Sequence, residues 1–488
     1  MFNRHTTLAT FSGRSRELGY LRTVLDSPEP TLVRVTGLPR VGKSEAVQRA
    51  VGGRPVIFFT APPLPAPDQR RALASVLNPG SGTEALGESP RADGEVDGPP
   101  PWHELLGAVR SAFASASHGP RSPIPVLVVD DAHRLVQARA RFFDALRAAM
   151  ADPAAEVHPF HCVLVAPVLD LPSPHRRPPP LRRDVSEPAE SHLSLPPLSF
   201  RGALPFLPGR TPRERLLAYS VFGGLPGTLA HLDPGAGLNA NLRRVVLSPT
   251  APLSMWGLHL LERFFQSPPR YAAALRTLSR GEAEWHVVRT GISDLTGSGQ
   301  VAPYLKRLQA LGAVGVRRSL DARKGGRSRR YHIPDPFLAF WFRFLLEPGV
   351  AGEATAEART IPRADLEVHA ATVFPSVCRA FMEHDAMEVL GANARESGSL
   401  WGPGYDLPVA GVLTSGAAYY GKVYWRKAPD PDDLAELDAA IRETRYGFGR
   451  ERRLRILFSA RGFSAALTRA AARRDDVILI GARELAGS

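Results

Sequence analysis

Cysteine, lysine and long apolar runs are what this 488-residue chain has least of. Its two cysteines, Cys162 and Cys378, stand far apart and have no partners at metal-ligand spacing. That excludes a disulfide framework and a zinc finger, and it fits a reducing compartment. No stretch approaches the ~18 apolar residues that a membrane span needs, and residues 1–15 hold no apolar core of signal-peptide length. The expectation is a cytoplasmic protein with no membrane partner. Lysine occurs only at positions 43, 306, 324, 422 and 427, so 56 of the 61 basic residues are arginine. The formal net charge of +13 would ordinarily point to an acidic partner such as nucleic acid. Arginine together with abundant Ala, Pro and Gly is also what a GC-rich genome produces, so clusters of charge weigh more than the sum. What is present is globular in character: 44% hydrophobic and 22% charged residues, at a length that suits two to four domains.

The first 200 residues alternate strand and helix signals. TLVRVT at 31–36 is a β-branched run that ends in glycine, and residues 44–51 then place Ala46, Val47, Ala50 and Val51 on one helical face. Residues 55–60, 124–129 and 161–165 read as further buried strands, which predicts an open, parallel α/β sheet. Residues 61–101, rich in Pro, Gly, Ser and acidic side chains, read as a disordered or loop-like insertion, and helical periodicity resumes at 102–117. Residues 212–347 are helical with short polar breaks. Strand-like runs at 409–412, 417–425, 455–458 and 477–480, interleaved with helices, predict a second α/β unit. The expected domains are a core at 1–210, a helical segment at 211–250, a third region at 251–350 and a last one at 364–488.

One motif carries chemistry directly. Gly37-Leu38-Pro39-Arg40-Val41-Gly42-Lys43-Ser44 matches G-x-x-x-x-G-K-[ST], and it lies between a strand and a helix as that motif requires. Its glycines allow backbone N–H groups to converge on phosphate oxygens, and the opening helix adds its positive dipole end. Lys43 would reach the β and γ phosphates of ATP, and the Ser44 hydroxyl would be a Mg²⁺ ligand. The strand at 126–129 ends in Asp130-Asp131. Asp130 is the candidate for the water shell of the Mg²⁺, and Asp131 for polarising an attacking water. Capping of the following helix is the alternative use of that pair.

At these residues the chain resembles a known family. Phe11-Ser12-Gly13-Arg14 with Glu17-Leu18 is similar to the F-x-G/D-R-x-x-E-L box of archaeal-type ATPases in the STAND branch of the AAA+-like P-loop proteins. The resemblance implies that Arg14 lies near the nucleotide. Gly223-Gly224-Leu225-Pro226 resembles the G-G-x-P turn of that family's helical lid, although an ordinary turn between helices would look the same. Arg182 and Arg183 sit where relatives carry an arginine-bearing loop after the fourth strand, which makes them candidate sensors of the γ phosphate; a solvated loop is the alternative. Residues 331–344 (YHIPDPFLAFWFRF) look like the Y-x-I-x-D-P-F-L-x-F-W-F-R-F signature of the family. Phe337, Phe340, Trp341 and Phe344 are expected to form one apolar helical stripe there.

Two further resemblances complete the architecture. Helices at 270–278, 283–290 and 300–312, followed by an arginine-rich hairpin at 315–332, are similar to a winged helix-turn-helix. In DNA-binding versions the third helix and the wing contact DNA, which nominates Lys306, Arg327, Arg329 and Arg330. Packing or self-association without DNA is the alternative. Residues 454–463 and 477–485 resemble the closing elements of a restriction-endonuclease-like α/β domain. Its metal-binding set is damaged: Asp406 is retained, Pro375 stands where relatives have glutamate, and Gly421-Lys422-Val423-Tyr424-Trp425 replaces G-E-C-K-W. The resemblance therefore implies a non-cleaving remnant that serves as an interaction or nucleic-acid-docking surface. Two functions stay open, a Mg²⁺-dependent ATP-binding switch or slow ATPase, and a non-hydrolysing DNA-binding regulator or scaffold with structural ATP. Partners would be ATP, DNA through the winged helix, and a protein or a second copy of the chain.

Overall fold

The computed structural model describes residues 11–78, 98–116, 123–137, 141–151, 159–168, 189–209, 211–292, 301–322, 329–346 and 360–487. It divides into two compact units, one built on Arg14–Pro196 and one on Pro197–Ser488.

The first unit runs α1 (Ser15–Leu25), β1 (Thr31–Thr36), α2 (Lys43–Val51), β2 (Val56–Thr60), α3 (Ala66–Leu77), α4 (Trp102–Ala116), β3 (Val126–Asp130), α5 (His133–Gln137), α6 (Phe142–Ala151), β4 (His161–Val165) and β5 (Ala189–Ser194). The five strands form one parallel sheet in the order β2-β3-β4-β1-β5. Apolar runs on β1, β3 and β4 are buried on both faces, as a parallel sheet covered by helices demands. Ala46, Val47, Ala50 and Val51 of α2 are all buried, as their spacing predicts. The expectation of a wholly loop-like insertion at 61–101 is corrected. Residues 66–77 form α3, whose Leu73 is fully buried in the core with Leu105, Leu106 and Val109 of α4. Proline in the first turn, Pro67, starts a helix where composition alone reads a breaker. Residues 79–97 of the segment lie outside the described residues.

In the second unit, short helices lead to an antiparallel three-stranded sheet of β6 (Ala283–Glu284), β8 (Arg329–His332) and β7 (Gly315–Arg318), accompanied by helices Pro268–Leu278, Trp285–Thr290 and Ala302–Leu311. A 22-residue helix, Arg363–His384, precedes a mixed sheet ordered β13-β12-β11-β10-β9. Here β9 (Ala394–Gly402), β10 (Tyr405–Leu413) and β11 (Ala418–Tyr424) are antiparallel, while β11, β12 (Arg453–Ser459) and β13 (Val477–Gly481) are parallel.

The aromatic helix Pro336–Phe344 departs from the single stripe expected. Leu338 and Phe342 are buried as well as Phe337, Phe340 and Trp341, while Phe344 is half-buried, so the helix is wrapped on nearly every side. Its N-cap joins two separately legible motifs. The Asp335 carboxylate accepts from the Leu338 N–H at 2.9 Å and from the Gly224 N–H at 2.9 Å. Gly223 has φ +67, and a Cβ there would lie 2.5 Å from Asp335 Oδ2, while a Cβ on Gly224 would lie 2.1 Å from the Leu198 carbonyl oxygen, so the first glycine is required by the Asp335 contact and the second by Leu198. Burial pushes the Asp335 carboxyl up to about 6, against the pull of those N–H donors. Asp335→Ala deletes a cap and strands two buried donors, and it should lower the stability of this unit by about 3 kcal/mol in chemical denaturation; Asp335→Asn should recover part of that loss.

Candidate functional site

The loop between β1 and α2 is built from backbone conformations that few residues adopt. Gly37 has φ +142, Arg40 φ +68 and Gly42 φ +88. A Cβ on Gly37 would lie 2.6 Å from the Leu195 carbonyl oxygen just beyond β5, so no other residue fits there without displacing backbone. Leu195 is itself tied to the end of β1, its N–H donating to Thr36 O at 2.8 Å. Alternation of left-handed and right-handed residues is what turns successive N–H groups inward in an anion nest. Lys43 opens α2 and is 8% exposed, and its Nζ donates to the carbonyls of Gly37 at 2.9 Å and Leu38 at 3.0 Å. Its ammonium therefore spans the loop that its own helix follows.

β3 delivers the acidic pair to the same place. The Ser44 hydroxyl donates to Asp130 Oδ2 at 2.6 Å across 86 residues of sequence. A hydroxyl and a carboxylate in contact are hard oxygen donors, the type that Mg²⁺ takes in part while keeping several waters. Asp130 is fixed by its other oxygen, Oδ1, which accepts from the Asp131 N–H at 2.8 Å. Asp131 sits in the left-handed region at φ +52, and its Oδ2 pairs with the Arg134 guanidinium at 2.6 Å. Arg134 also donates to the Ala61 carbonyl at the end of β2. The acidic pair thus has two postures, one carboxylate on the loop serine and one on an arginine.

Arg14, 3% exposed, donates to the Val41 carbonyl at 2.9 Å and pairs with Glu17 at 3.2 Å. Burial lowers its pKa from the usual arginine value, with Glu17 opposing. It braces the loop through the Val41 carbonyl, a contact that the sequence does not announce. The candidate sensors Arg182 and Arg183, and Arg327 of the hairpin, lie outside the described residues.

The other nominated cations are in the second unit. Lys306 and Arg329 are exposed. Arg330 is engaged: it pairs with Asp406 at 2.9 Å, and its guanidinium lies 4.5 Å from the centre of the Trp401 ring. The same hairpin binds the last sheet through one main-chain and one serine side-chain contact, with the Leu320 N–H donating to Ser399 O at 3.0 Å and the Trp401 N–H to Ser319 Oγ at 3.0 Å. Further in, Arg379 is buried and joins Glu282 at 2.8 Å to the Pro408 carbonyl at 2.9 Å, while Glu282 also holds Arg317. At the end of β11 and just beyond it, Lys422 pairs with Glu436 at 2.9 Å, and Lys427 pairs with the buried Asp433 at 2.6 Å. Among the described residues no group of three or more His, Cys, Asp or Glu side chains could hold a metal ion, and no helix is long and apolar enough to cross a membrane.

A five-stranded parallel sheet whose β1 runs through this loop into α2 fits a P-loop nucleoside-triphosphatase fold. No protein-family model matches the chain, and no curated protein matches it by sequence. Among solved structures it is similar to the Walker-type ATPase of Pyrococcus abyssi, at 18% identity and a TM-score of 0.47, covering 68% of this chain and 95% of that one. It is also similar to the Aeropyrum pernix ORC1 protein solved in complex with DNA, at 15% identity and a TM-score of 0.29, covering 68% and 91%. A STAND protein with a tetratricopeptide repeat sensor from Pyrococcus horikoshii matches at 14% identity and a TM-score of 0.28, covering 76% and 46%.

Proposed function

We propose that the chain is a Mg²⁺-dependent ATP-binding switch or slow ATPase, whose nucleotide state is coupled to a winged helix at 251–350 and to a non-cleaving nuclease-like domain at 364–488. The observation that carries this is the Ser44–Asp130 contact of 2.6 Å beside the loop that Lys43 spans. Gly37 to Ser44 would hold the phosphates, with Lys43 as the cation and Arg14 as the positioning residue that keeps Val41 in place. Ser44 and Asp130 would hold the Mg²⁺, which supplies charge neutralisation to the phosphates when bound. Asp131 would orient water once released from Arg134, and that release makes turnover slow.

The Asp131–Arg134 pair also favours the second reading, a regulator that binds ATP without hydrolysing it, because the carboxylate needed to polarise water is held by a cation. Lys306 and Arg329 would then serve DNA binding, with Arg330 committed to Asp406 and Trp401. Lys422 stands where a metal-binding carboxylate would be needed in the last domain and supports a role there without cleavage.

Phosphate release separates the two readings. Wild type should turn ATP over slowly, and Asp131→Asn should abolish turnover while leaving ATP affinity within about threefold, since that residue is assigned to the water alone. Binding without turnover in wild type would leave the regulator, and no binding at all would remove both.

A further inference from the structure

The second unit carries an aromatic side chain placed as no core residue is. Phe448 is 82% exposed, and it sits at the tip of the connection between the helix Pro431–Glu443 and β12. The tip is held in shape. Gly447 and Gly449 on either side have φ +68 and +82, the Phe448 N–H donates to Arg445 O at 3.1 Å, and the Arg450 guanidinium donates to Gly416 O at 2.8 Å. An apolar ring on a pinned turn gains nothing for the fold.

Its surroundings are basic. Between positions 442 and 455 the sequence has six arginines and two carboxylates, Glu443 and Glu451. Arg455 is committed to Asp438 and Asp476, but Arg445, Arg450 and Arg452 make no ion pair among the described residues, and Arg445 and Arg452 are exposed. The Arg453 guanidinium lies 5.5 Å from the centre of the Phe448 ring. Arg452 donates to the Asp475 carbonyl at 3.4 Å, so it and Arg450 meet only neutral carbonyls among the described residues. A projecting ring backed by an arginine and flanked by charge that no carboxylate neutralises matches the two demands of a single-stranded nucleic acid: a π-face for an unpaired base, and positive charge along its phosphates. A protein partner would explain the ring but not the cations around it.

We infer that the turn at 445–453 is a contact site for single-stranded nucleic acid, with Phe448 as the stacking platform and Arg445 and Arg452 on the phosphates. This goes beyond the ATP-dependent function proposed above and does not depend on it. The test is fluorescence anisotropy of a labelled single-stranded thymidine 20-mer with the full chain. Phe448→Ala should weaken binding about 5- to 100-fold, and Phe448→Trp should restore it. Arg445→Ala and Arg452→Ala should each flatten the salt dependence of log K by about 0.7. Because Phe448 is solvent-exposed, its loss leaves the core intact, and ATP binding measured on the same samples should not change. Equal affinity of wild type and Phe448→Ala for the single strand would overturn the site. So would a preference for duplex DNA indifferent to Phe448, or a change in oligomeric state by light scattering with no change in strand affinity.

Discussion

Replacing Lys43 with alanine weakens ATP binding by roughly 30- to 1,000-fold if the loop binds phosphate, because truncating one partner of a buried, hydrogen-bonded charge pair costs about 2–4 kcal/mol. The side chain is 8% exposed and bonded to the Gly37 and Leu38 carbonyls, so its ammonium is already desolvated and positioned before any ligand arrives. Removing it deletes the positive charge at the loop and leaves two neutral carbonyls without that donor, a loss of about 1 kcal/mol each at most for the fold. The variant should therefore remain folded, with a thermal transition lowered by only a few degrees in the absence of nucleotide, while its ATP titration weakens. Affinity equal to wild type would show that the loop does not bind phosphate through this residue.

Acidification from pH 6.5 to 4 removes about 3 kcal/mol from the first unit through buried His161, and His369 withdraws a similar amount from the second, where the lowered His332 adds to the loss and Asp335, pushed up to about 6, opposes it by taking a proton in the same window. His161 on β4 and His369 in the helix Arg363–His384 are both fully inaccessible to solvent. Burial drives the His161 pKa down to about 4, helped by the Arg54 cation and opposed by a Leu25 main-chain bond and Asp26. Burial likewise takes His369 to about 4, helped by the Arg343 cation and opposed by its bonds to main chain at Ser220 and Pro336. In the unfolded chain each titrates near 6.5. Between pH 6.5 and 4 the unfolded state binds the proton and the folded state does not, so stability rises with pH through this window and is lost as pH falls. The drop from about 6.5 to about 4 corresponds to about 3 kcal/mol for each ring. The Thr31 N–H donates to His161 Nδ1 at 3.2 Å, a bond that the doubly protonated ring cannot accept. Thermal unfolding followed across this range should show a falling transition for the first unit, and His161→Gln should flatten that fall without changing the pH dependence of the second. A flat profile for the first unit in wild type would contradict the assignment.

The parallel core was legible where residues are buried on both faces. HCVLV at 161–165 is β4 to the residue, because an uninterrupted apolar run has few alternatives in a chain of this composition. β5, AESHLS, was not legible: one large apolar side chain, Leu193, in an edge strand gives no periodic signal. β9 was missed for a related reason, since ARESGSLWG is polar over its first half and lies at the edge of its sheet. At the candidate site, the loop and the acidic pair could be read, because that chemistry needs a short ordered motif. Two of its contacts could not. The grip of Arg14 on Val41 depends on tertiary placement across 27 residues, and the turn of Asp131 toward Arg134 depends on a φ of +52 that no pattern announces. The meeting of Asp335 with Gly224 lies between these extremes: both motifs were visible, and only folding shows that one caps the other.

The central claim is that a triphosphate is held at the Gly37 to Ser44 loop with Ser44 and Asp130 on its Mg²⁺. Isothermal titration of the full chain with ATP, with and without Mg²⁺, tests it most directly. Saturable one-to-one binding below millimolar concentration, weakened when Mg²⁺ is chelated, is the predicted result. No heat of binding at millimolar ATP with Mg²⁺ present would contradict it.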